Sequence, residues 1–116
     1  MTDLIRGMMT LRDQVKLYHW QTLKFPRHKA TDSLVDKLDS NIDRFVEVYI
    51  GKYGRPKFSG SIQLKNYSDK TAEDLIKSAV EWLTNLKLKS EDTDLYAIRD
   101  EILADLNQTR YLFTLN

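Results

Sequence analysis

Two histidines and a pair of acids carry most of the chemistry that this sequence offers. His19 and His28 are its only histidines, and Asp43 and Glu47 stand four residues apart further along the chain. A spacing of four places two side chains on the same face of a helix, one turn apart. Imidazole nitrogens and carboxylate oxygens together form a ligand set that suits iron, manganese or zinc. A histidine together with these two carboxylates is therefore a candidate metal site.

Glu47 is the acid with the most unusual surroundings in the sequence. Its neighbours on both sides are apolar or aromatic: Phe45, Val46, Val48, Tyr49 and Ile50. We expect an acid in this setting to be partly buried, and a buried carboxylate needs a cation or a metal ion beside it. A structural ion pair with Arg44, Lys16 or another cation is the alternative to a metal ligand.

Each histidine also has an ordinary structural interpretation. His19 follows Leu11 and Val15 at spacings of eight and four, so it lies at the edge of an apolar stripe. A histidine there is usually a core or boundary residue with a hydrogen-bond partner. His28 stands at the start of the second helix, where a histidine is usually a solvated terminal residue. Position alone does not separate these roles from metal binding.

Four segments with helical periodicity must position these residues. They cover about residues 2–23, 28–52, 71–88 and 93–115. The stripes predicted to face the core are Leu4, Met8, Leu11, Val15 and Tyr18 in the first, Leu34, Leu38, Ile42, Phe45 and Tyr49 in the second, Leu75, Ala79, Trp82 and Leu86 in the third, and Leu95, Ile98, Ile102, Leu106 and Phe113 in the fourth. Ser68 or Thr71 can cap the third helix at its N-terminus.

The lengths of the connections predict how the helices are arranged. A few residues around Pro26 join the first pair, and about four residues join the last pair, so each pair should be antiparallel. The middle connection, roughly 54–70, is long enough to cross the bundle, as in ferritin-like folds. We therefore expect an all-α chain that forms one domain over residues 1–116, an antiparallel four-helix bundle of ferritin-like topology.

Composition excludes several other classes of function. The sequence of 116 residues has no cysteine, which excludes disulfides, thiolate metal sites and a cysteine nucleophile. Its net charge of +1 gives no reason to expect a nucleic-acid or membrane partner. It contains no apolar run of the roughly 18 residues that a membrane span needs, and no basic and apolar signal segment, so we expect a cytoplasmic protein.

The segment Leu17-Tyr18-His19-Trp20 resembles the first-helix signature of Dps proteins, the mini-ferritins that oxidise and store iron. His28, Asp43 fifteen residues later and Glu47 four further on match the spacing of that family's next ligands. Residues 97–113 also resemble its last helix. The resemblance implies that His19, His28, Asp43 and Glu47 bind iron, with Trp20 beside the site, and that oxygen or peroxide is the oxidant.

The sequence departs from the Dps pattern in the first turn. The interval from His19 to His28 is three residues shorter than is usual in that family, and residues 23–27, Leu-Lys-Phe-Pro-Arg, replace a loop that contains glycine. The sequence also resembles short, uncharacterised proteins of large DNA viruses. If the chain is viral, we expect it in the virion or the host cytoplasm.

Helix length determines how the four candidate ligands can meet. Asp43 lies fifteen residues from His28, which is about 22 Å along a helix. A metal site with all four ligands therefore needs Asp43 and Glu47 from a second copy, related by a two-fold axis, and predicts a homodimer or a larger homo-oligomer. The alternative is a structural or assembly protein, for example of a viral particle, in which the bundle remains and the histidines are incidental.

Overall fold

The computed structural model describes residues 2–116, with side chains from residue 3 onward; Met1, the first residue of the predicted domain, lies outside them. The four helices of this part are α1 (Thr2–Gln21), α2 (Phe25–Tyr53), α3 (Asp69–Thr84) and α4 (Thr93–Leu112). Residues 2–116 contain no strand, and none of their helices combines the length and the apolar character of a membrane span. The prediction of an all-α four-helix bundle is confirmed.

The ends of the helices differ from the predicted ones for local reasons. α2 begins at Phe25 rather than near residue 28, because Pro26 is accepted in the first turn of a helix, where a backbone N–H is not needed. The last two helices end at Thr84 and Leu112, before the predicted ends near 88 and 115. Ser68 caps α3 and forms a reciprocal capping box with Thr71, so both predicted caps take part.

The apolar stripes predicted for α1 and α4 are buried throughout, and that of α2 is buried from Leu34 to Phe45. The stripe predicted for α3 is confirmed at Ala79 and is wrong at Trp82, which is exposed, while Leu75 and Leu86 are partly buried against the core. The residues of α3 that reach the core are Ala72, Ile76, Ala79 and Leu83. Trp82 instead lies across α1 at Gly7, where an added Cβ would come within 2.7 Å of the indole ring. The close approach of α1 and α3 therefore depends on the missing side chain at Gly7.

A long crossover, residues 54–68, determines the topology. It runs along α1 and is held there by two buried or half-buried amide side chains. The Gln14 amide donates to the Lys65 carbonyl at 2.7 Å and accepts from the Lys65 N–H at 2.8 Å, while Gln21 accepts from the Tyr67 N–H at 2.8 Å. Because these contacts run from the middle of α1 to its end, α3 begins at the end of the bundle where α2 begins. Each helix is therefore antiparallel to both of its neighbours.

The crossover passes α1 closely at one glycine. The Arg6 guanidinium donates to the carbonyl of Ser59, and Gly60 follows with a φ of +103°. A Cβ on Gly60 would lie 2.6 Å from the Arg6 guanidinium. Glycine is required there for its positive φ and because a side chain would displace Arg6.

A buried carboxylate fastens the C-terminal end of α2 to the start of α4. Asp92 is only 2% exposed, and it accepts hydrogen bonds from Lys52 Nζ at 2.8 Å and the Tyr53 hydroxyl at 2.5 Å. These bonds, from Lys52 first and then Tyr53, hold the pKa of Asp92 below its usual value. The hydrogen bond to Asp92 also raises the pKa of Tyr53 to about 12.

A buried cation fastens the opposite end. Arg27, 6% exposed, lies against the ring of Phe113 at 4.5 Å. It donates to Glu73 Oε1 at 3.0 Å and to the Asp69 carbonyl at 3.3 Å. The first turn of α2, which carries His28, is thereby fixed against both α3 and the end of α4.

We expect Gln14→Leu to destabilise the protein by about 1–3 kcal/mol, because it leaves the N–H and carbonyl of Lys65 without their partner. Gln63→Leu is the matched control, since Gln63 is an exposed glutamine of the same crossover. Urea unfolding followed by circular dichroism measures both. Equal midpoints for the two variants would show that the amide does not hold the crossover.

Asp92→Asn should lower stability in a pH-dependent manner. A carboxyl whose pKa is lower in the folded chain than in the unfolded chain stabilises the fold at pH values above its pKa in the unfolded chain, about 3.9. This stabilisation is lost as the pH falls through its pKa in the folded chain. The difference in unfolding free energy between wild type and Asp92→Asn should therefore be constant above about pH 5 and shrink below about pH 4. Asp36→Asn, at an exposed position, should show no such trend; a difference independent of pH for Asp92→Asn would contradict the assignment.

Candidate metal site

The two histidines meet at the turn between α1 and α2. His19 lies in the last turn of α1 and is 8% exposed, and His28 lies in the first turn of α2 and is half-buried. Their rings stack, with centroids 4.0 Å apart and planes 18° from parallel. His19 is buried at the core boundary, as its spacing predicts. His28 is not the solvated terminal residue that its position suggested.

Each of these histidines binds the backbone of the other. His19 Nδ1 donates to the carbonyl of His28 at 2.8 Å, and His28 Nδ1 donates to the carbonyl of His19 at 3.0 Å. A carbonyl oxygen only accepts, so both Nδ1 atoms carry protons. In the neutral rings both Nε2 atoms then keep a lone pair. Histidines that bind metals are held in this way, with one nitrogen donating to a backbone carbonyl and the other available to the metal.

His28 also completes the end of α1. The carbonyl of His19 is among the last four of its helix, which have no partner within the helix. The His28 ring supplies that partner, while Thr31 Oγ1 approaches the His28 carbonyl at 3.2 Å. The position of the histidine pair is thus determined by backbone hydrogen bonds, which orient both rings before any ligand arrives.

Asp32 brings a carboxylate to this pair, and the sequence analysis missed it. Its Oδ1 lies 3.8 Å from His19 Nε2, and its side chain is 56% exposed. Asp32 stands four residues after His28 and so lies on the same side of α2, one turn further along. That spacing is the signal in the sequence that could have identified it. The turn therefore presents two imidazole nitrogens and a neighbouring carboxylate.

Asp43 and Glu47 lie elsewhere on α2, and both are exposed. The expectation that Glu47 is partly buried is wrong. Phe45 points into the core, and a residue two positions later in a helix points about 200° away from it. Within residues 2–116 neither acid forms an ion pair, so the alternative pairing of Glu47 with Arg44 or Lys16 is also absent in one chain.

The described part of one chain does not enclose a metal ion by itself. It contains no group of three or more His, Cys, Asp or Glu side chains arranged to hold one. His19 and His28 come together as the sequence predicts, whereas Asp43 is about 22 Å along α2 from His28. The donors at the turn have the chemistry that iron, manganese or zinc requires. A metal site at this turn would need further ligands from outside the chain.

The aromatic residue in contact with the histidine pair is Phe25. Its ring centroid lies 6.3 Å from that of His28, and its side chain is 69% exposed. Trp20, the predicted neighbour of the site, is 68% exposed and lies under Lys16 Nζ at 5.3 Å. A role for Trp20 beside a metal stays a prediction.

Comparison with known proteins places the chain in a family. Residues 19–113 match the model of a family of unknown function, DUF5856, and this range includes both histidines and all of α2, α3 and α4. The chain is also 32% identical over 99 residues to an uncharacterised 14.6 kDa protein of the mobD-ri intergenic region of Enterobacteria phage T4. That alignment covers 84% of this chain and 74% of the phage protein. No solved structure matches the chain significantly.

Nitrogen NMR can test the proton positions in the histidine pair. In alkaline solution we expect both neutral rings to carry the proton on Nδ1, because each Nδ1 faces a carbonyl oxygen. In His19→Ala, the ring of His28 should keep the Nδ1–H form, because its acceptor is the backbone carbonyl of residue 19, which the substitution retains; free histidine in water, in which the Nε2–H form predominates, is the reference. A wild-type spectrum with the proton on Nε2 of either ring would contradict the arrangement, since that nitrogen would no longer be a ligand.

Proposed function

The chain belongs to the family of unknown function DUF5856, and we propose that it is a Dps-like protein that binds, oxidises and sequesters iron(II) at a site shared by two copies. One observation carries this proposal. The backbone carbonyls at the turn engage Nδ1 of both His19 and His28, which leaves the Nε2 lone pair of each neutral ring available to a ligand. The carboxylate of Asp32 stands next to one of them.

The remaining ligands are proposed to come from the second copy. His19, His28 and Asp32 of one chain would bind the ion together with Asp43 and Glu47 of the other. Both of these acids are exposed and form no ion pair within residues 2–116, so they are accessible to a partner. Two nitrogens with several carboxylate oxygens suit iron(II), and zinc or manganese can bind the same donors.

The topology supports the same proposal at the level of fold. Four antiparallel helices with one long middle crossover are the arrangement of ferritin-like bundles, many of which bind metal ions through carboxylates and histidines. The usual dimetal site of those bundles lies inside one subunit and uses Glu-x-x-His motifs. This sequence has no such motif, which favours a site between subunits.

Iron(II) is the substrate in this proposal. Two iron(II) ions would each give one electron to hydrogen peroxide, which takes up two protons and leaves as two water molecules. The residues of this chain would bind and orient the ions. The exposed carboxylates of α2 would attract the cations toward the histidine pair.

A structural or assembly role is the second candidate, and the hydrogen bonds at the turn favour it as well. The reciprocal bonds of His19 and His28 close the α1–α2 turn and cap α1, which is sufficient reason for both histidines in a purely structural protein. The phage T4 relative supports a viral origin. In either case we propose that the chain acts in the host cytoplasm or in the virion.

Mixing two inactive variants tests the shared site. One chain carries His19→Ala with His28→Ala, and the other carries Asp43→Ala with Glu47→Ala. Each alone should bind no zinc, the redox-inert probe. In a heterodimer only one of the two sites combines intact histidines with intact acids. With free exchange at equal amounts, half of the dimers are mixed, so the mixture should bind about a quarter of the wild-type zinc.

Glu81→Gln is the control, because Glu81 is an exposed acid of α3, away from α2, and the variant should bind zinc as wild type does. Asp32→Asn should weaken zinc binding about tenfold or more. Zinc content is measured by titration calorimetry and native mass spectrometry, and iron(II) oxidation by absorbance. If the mixture binds none while wild type binds zinc, the site is not shared; if wild type binds neither metal, the structural role is the better explanation.

A further inference from the structure

The most exposed apolar side chains gather at one end of the bundle. Leu23 is 100% exposed, Phe25 69%, Trp20 68% and Tyr111 62%, and no other large apolar side chain of residues 3–116 exceeds 48%. Three of the four belong to the turn between α1 and α2, and Tyr111 lies in the last turn of α4, which ends beside the start of α2. Single exposed apolar residues are common, but a group of large ones marks an interaction site. We call Trp20, Leu23 and Phe25 the apolar tip.

The apolar tip is a projection of the chain and not a groove, since the side chain of Leu23 is left entirely in solvent. Its backbone is paired from within: the Thr22 N–H donates to the Tyr18 carbonyl at 3.0 Å, the Lys24 N–H to Thr22 Oγ1 at 3.2 Å and the His28 N–H to the Lys24 carbonyl at 3.0 Å. Pro26 has no N–H that needs a partner. A turn with paired backbone groups can leave water for the headgroup region of a bilayer without a large cost.

Basic side chains surround the apolar tip. Residues 14–31 contain four cations and no acid: Lys16, Lys24, Arg27 and Lys29. Lys16 Nζ lies 5.3 Å from the centre of the Trp20 ring, and Lys29 Nζ lies 5.8 Å from the centre of the Phe25 ring. Each aromatic ring of the tip therefore has a cation beside it. At a membrane surface, aromatic rings lie at the level of the headgroups while lysines extend to the phosphates.

The acids of α3 at this end of the bundle are already paired with other cations. Asp69, Glu73 and Asp74 form ion pairs with Lys24, Arg27 and Lys70, respectively. In the part of the chain that the structure describes, Lys16 and Lys29 form no ion pair. The exposed carboxylate of Asp32 lies about 10 Å beyond Phe25 along α2, where salt screens much of its effect. The tip thus keeps an excess of positive charge, although the net charge of the chain is only +1.

We propose that the apolar tip docks the protein on a membrane surface rich in anionic lipid, with Lys16 and Lys29 against the lipid phosphates. This inference goes beyond the proposed function and uses none of the proposed metal ligands. A projecting tip can enter a bilayer interface directly, whereas a partner protein would have to supply a matching groove. Only three side chains enter the interface, so the docking is peripheral and reversible.

Tryptophan fluorescence locates the contact, because the only two tryptophans lie near opposite ends of α1. Trp82→Phe leaves Trp20, and Trp20→Phe leaves Trp82, which lies at Gly7, about 20 Å along α1 from residue 20. Vesicles of equal parts phosphatidylglycerol and phosphatidylcholine, added in EDTA to exclude bridging metal ions, should shift the Trp20 emission to shorter wavelength and leave the Trp82 emission unchanged. No shift of the Trp20 emission, or an equal shift with vesicles of phosphatidylcholine alone, overturns the proposal.

Leu23→Gln tests the apolar contact. It should lower the partition coefficient onto the anionic vesicles about tenfold, because the bilayer no longer buries a leucine side chain. Since Leu23 is fully exposed, the melting temperature should not change. Phe58→Gln is the control, because Phe58 is an exposed apolar residue of the crossover that lies against Arg6, away from the tip. This variant should bind the vesicles as wild type does.

Lys16→Gln and Lys29→Gln test the charges. Each should weaken binding to the anionic vesicles about fivefold, which is the contribution of one lysine near an anionic surface. The effect should shrink as salt is added. Lys89→Gln is the matched control, since Lys89 is an exposed lysine that lies against Tyr53 at the opposite end of the bundle. If Lys89→Gln weakens binding as much as Lys29→Gln, the tip is not the docking surface.

The remaining outcomes separate a bilayer from other occupants. Binding that Lys16→Gln weakens but Leu23→Gln does not would indicate a general attraction to polyanions such as nucleic acid, and it would overturn the proposal. Self-association without lipid that Leu23→Gln abolishes in sedimentation velocity, with no binding to vesicles, would assign the tip to a protein contact instead. Leu23→Gln should leave zinc binding unchanged, so failure of the metal site and failure of membrane docking are distinguishable.

Discussion

The exchange of hydrogen bonds between His19 and His28 across a three-residue turn is the constraint on which the candidate site depends. Each imidazole donates to a carbonyl of the other residue, so rotation of either ring breaks one of these bonds, and rotation of the His28 ring leaves the His19 carbonyl without its partner. The same bonds close the turn and terminate α1. They also decide which nitrogen of each ring remains available. Structure and candidate chemistry are therefore set by one pair of contacts.

The rest of the bundle holds that turn in place. Arg27, one residue before His28, is buried between the start of α3 and the end of α4. At the other end Asp92 fastens α2 to α4 through Lys52 and Tyr53. The long helix α2 is thus fixed at both ends, so the distance between its first turn and the acids further along it is constant.

The crossover determines which surface of the bundle is left open. It runs along α1 and is tied to Gln14 and Gln21, so it leaves the outer face of α2 uncovered. That face is acidic although the chain as a whole has a net charge of only +1. Exposed carboxylates without cations attract positive charge, which a metal ion or a second chain can supply.

The sequence by itself determined the helices and most of their buried faces, because those patterns repeat every three to four residues and are local. It predicted only part of the inward face of α3, because Ala79 is buried as expected but Trp82 lies against Gly7 of α1 and not in the core. The prediction from local context was also wrong for the burial of Glu47, because apolar neighbours in a sequence do not indicate which side of the helix an acid occupies.

For the candidate site too, some features follow from the sequence and others only from the tertiary structure. Residue type and spacing made His19, Asp43 and Glu47 candidate ligands, the Dps resemblance added His28, and helix length alone separated the histidines from the acids. Only the tertiary structure brought Asp32 to the pair, stacked the two rings and assigned their protons. Those features arise between residues on two helices across a turn, where the geometry depends on backbone carbonyls that no pattern of side chains in the sequence records.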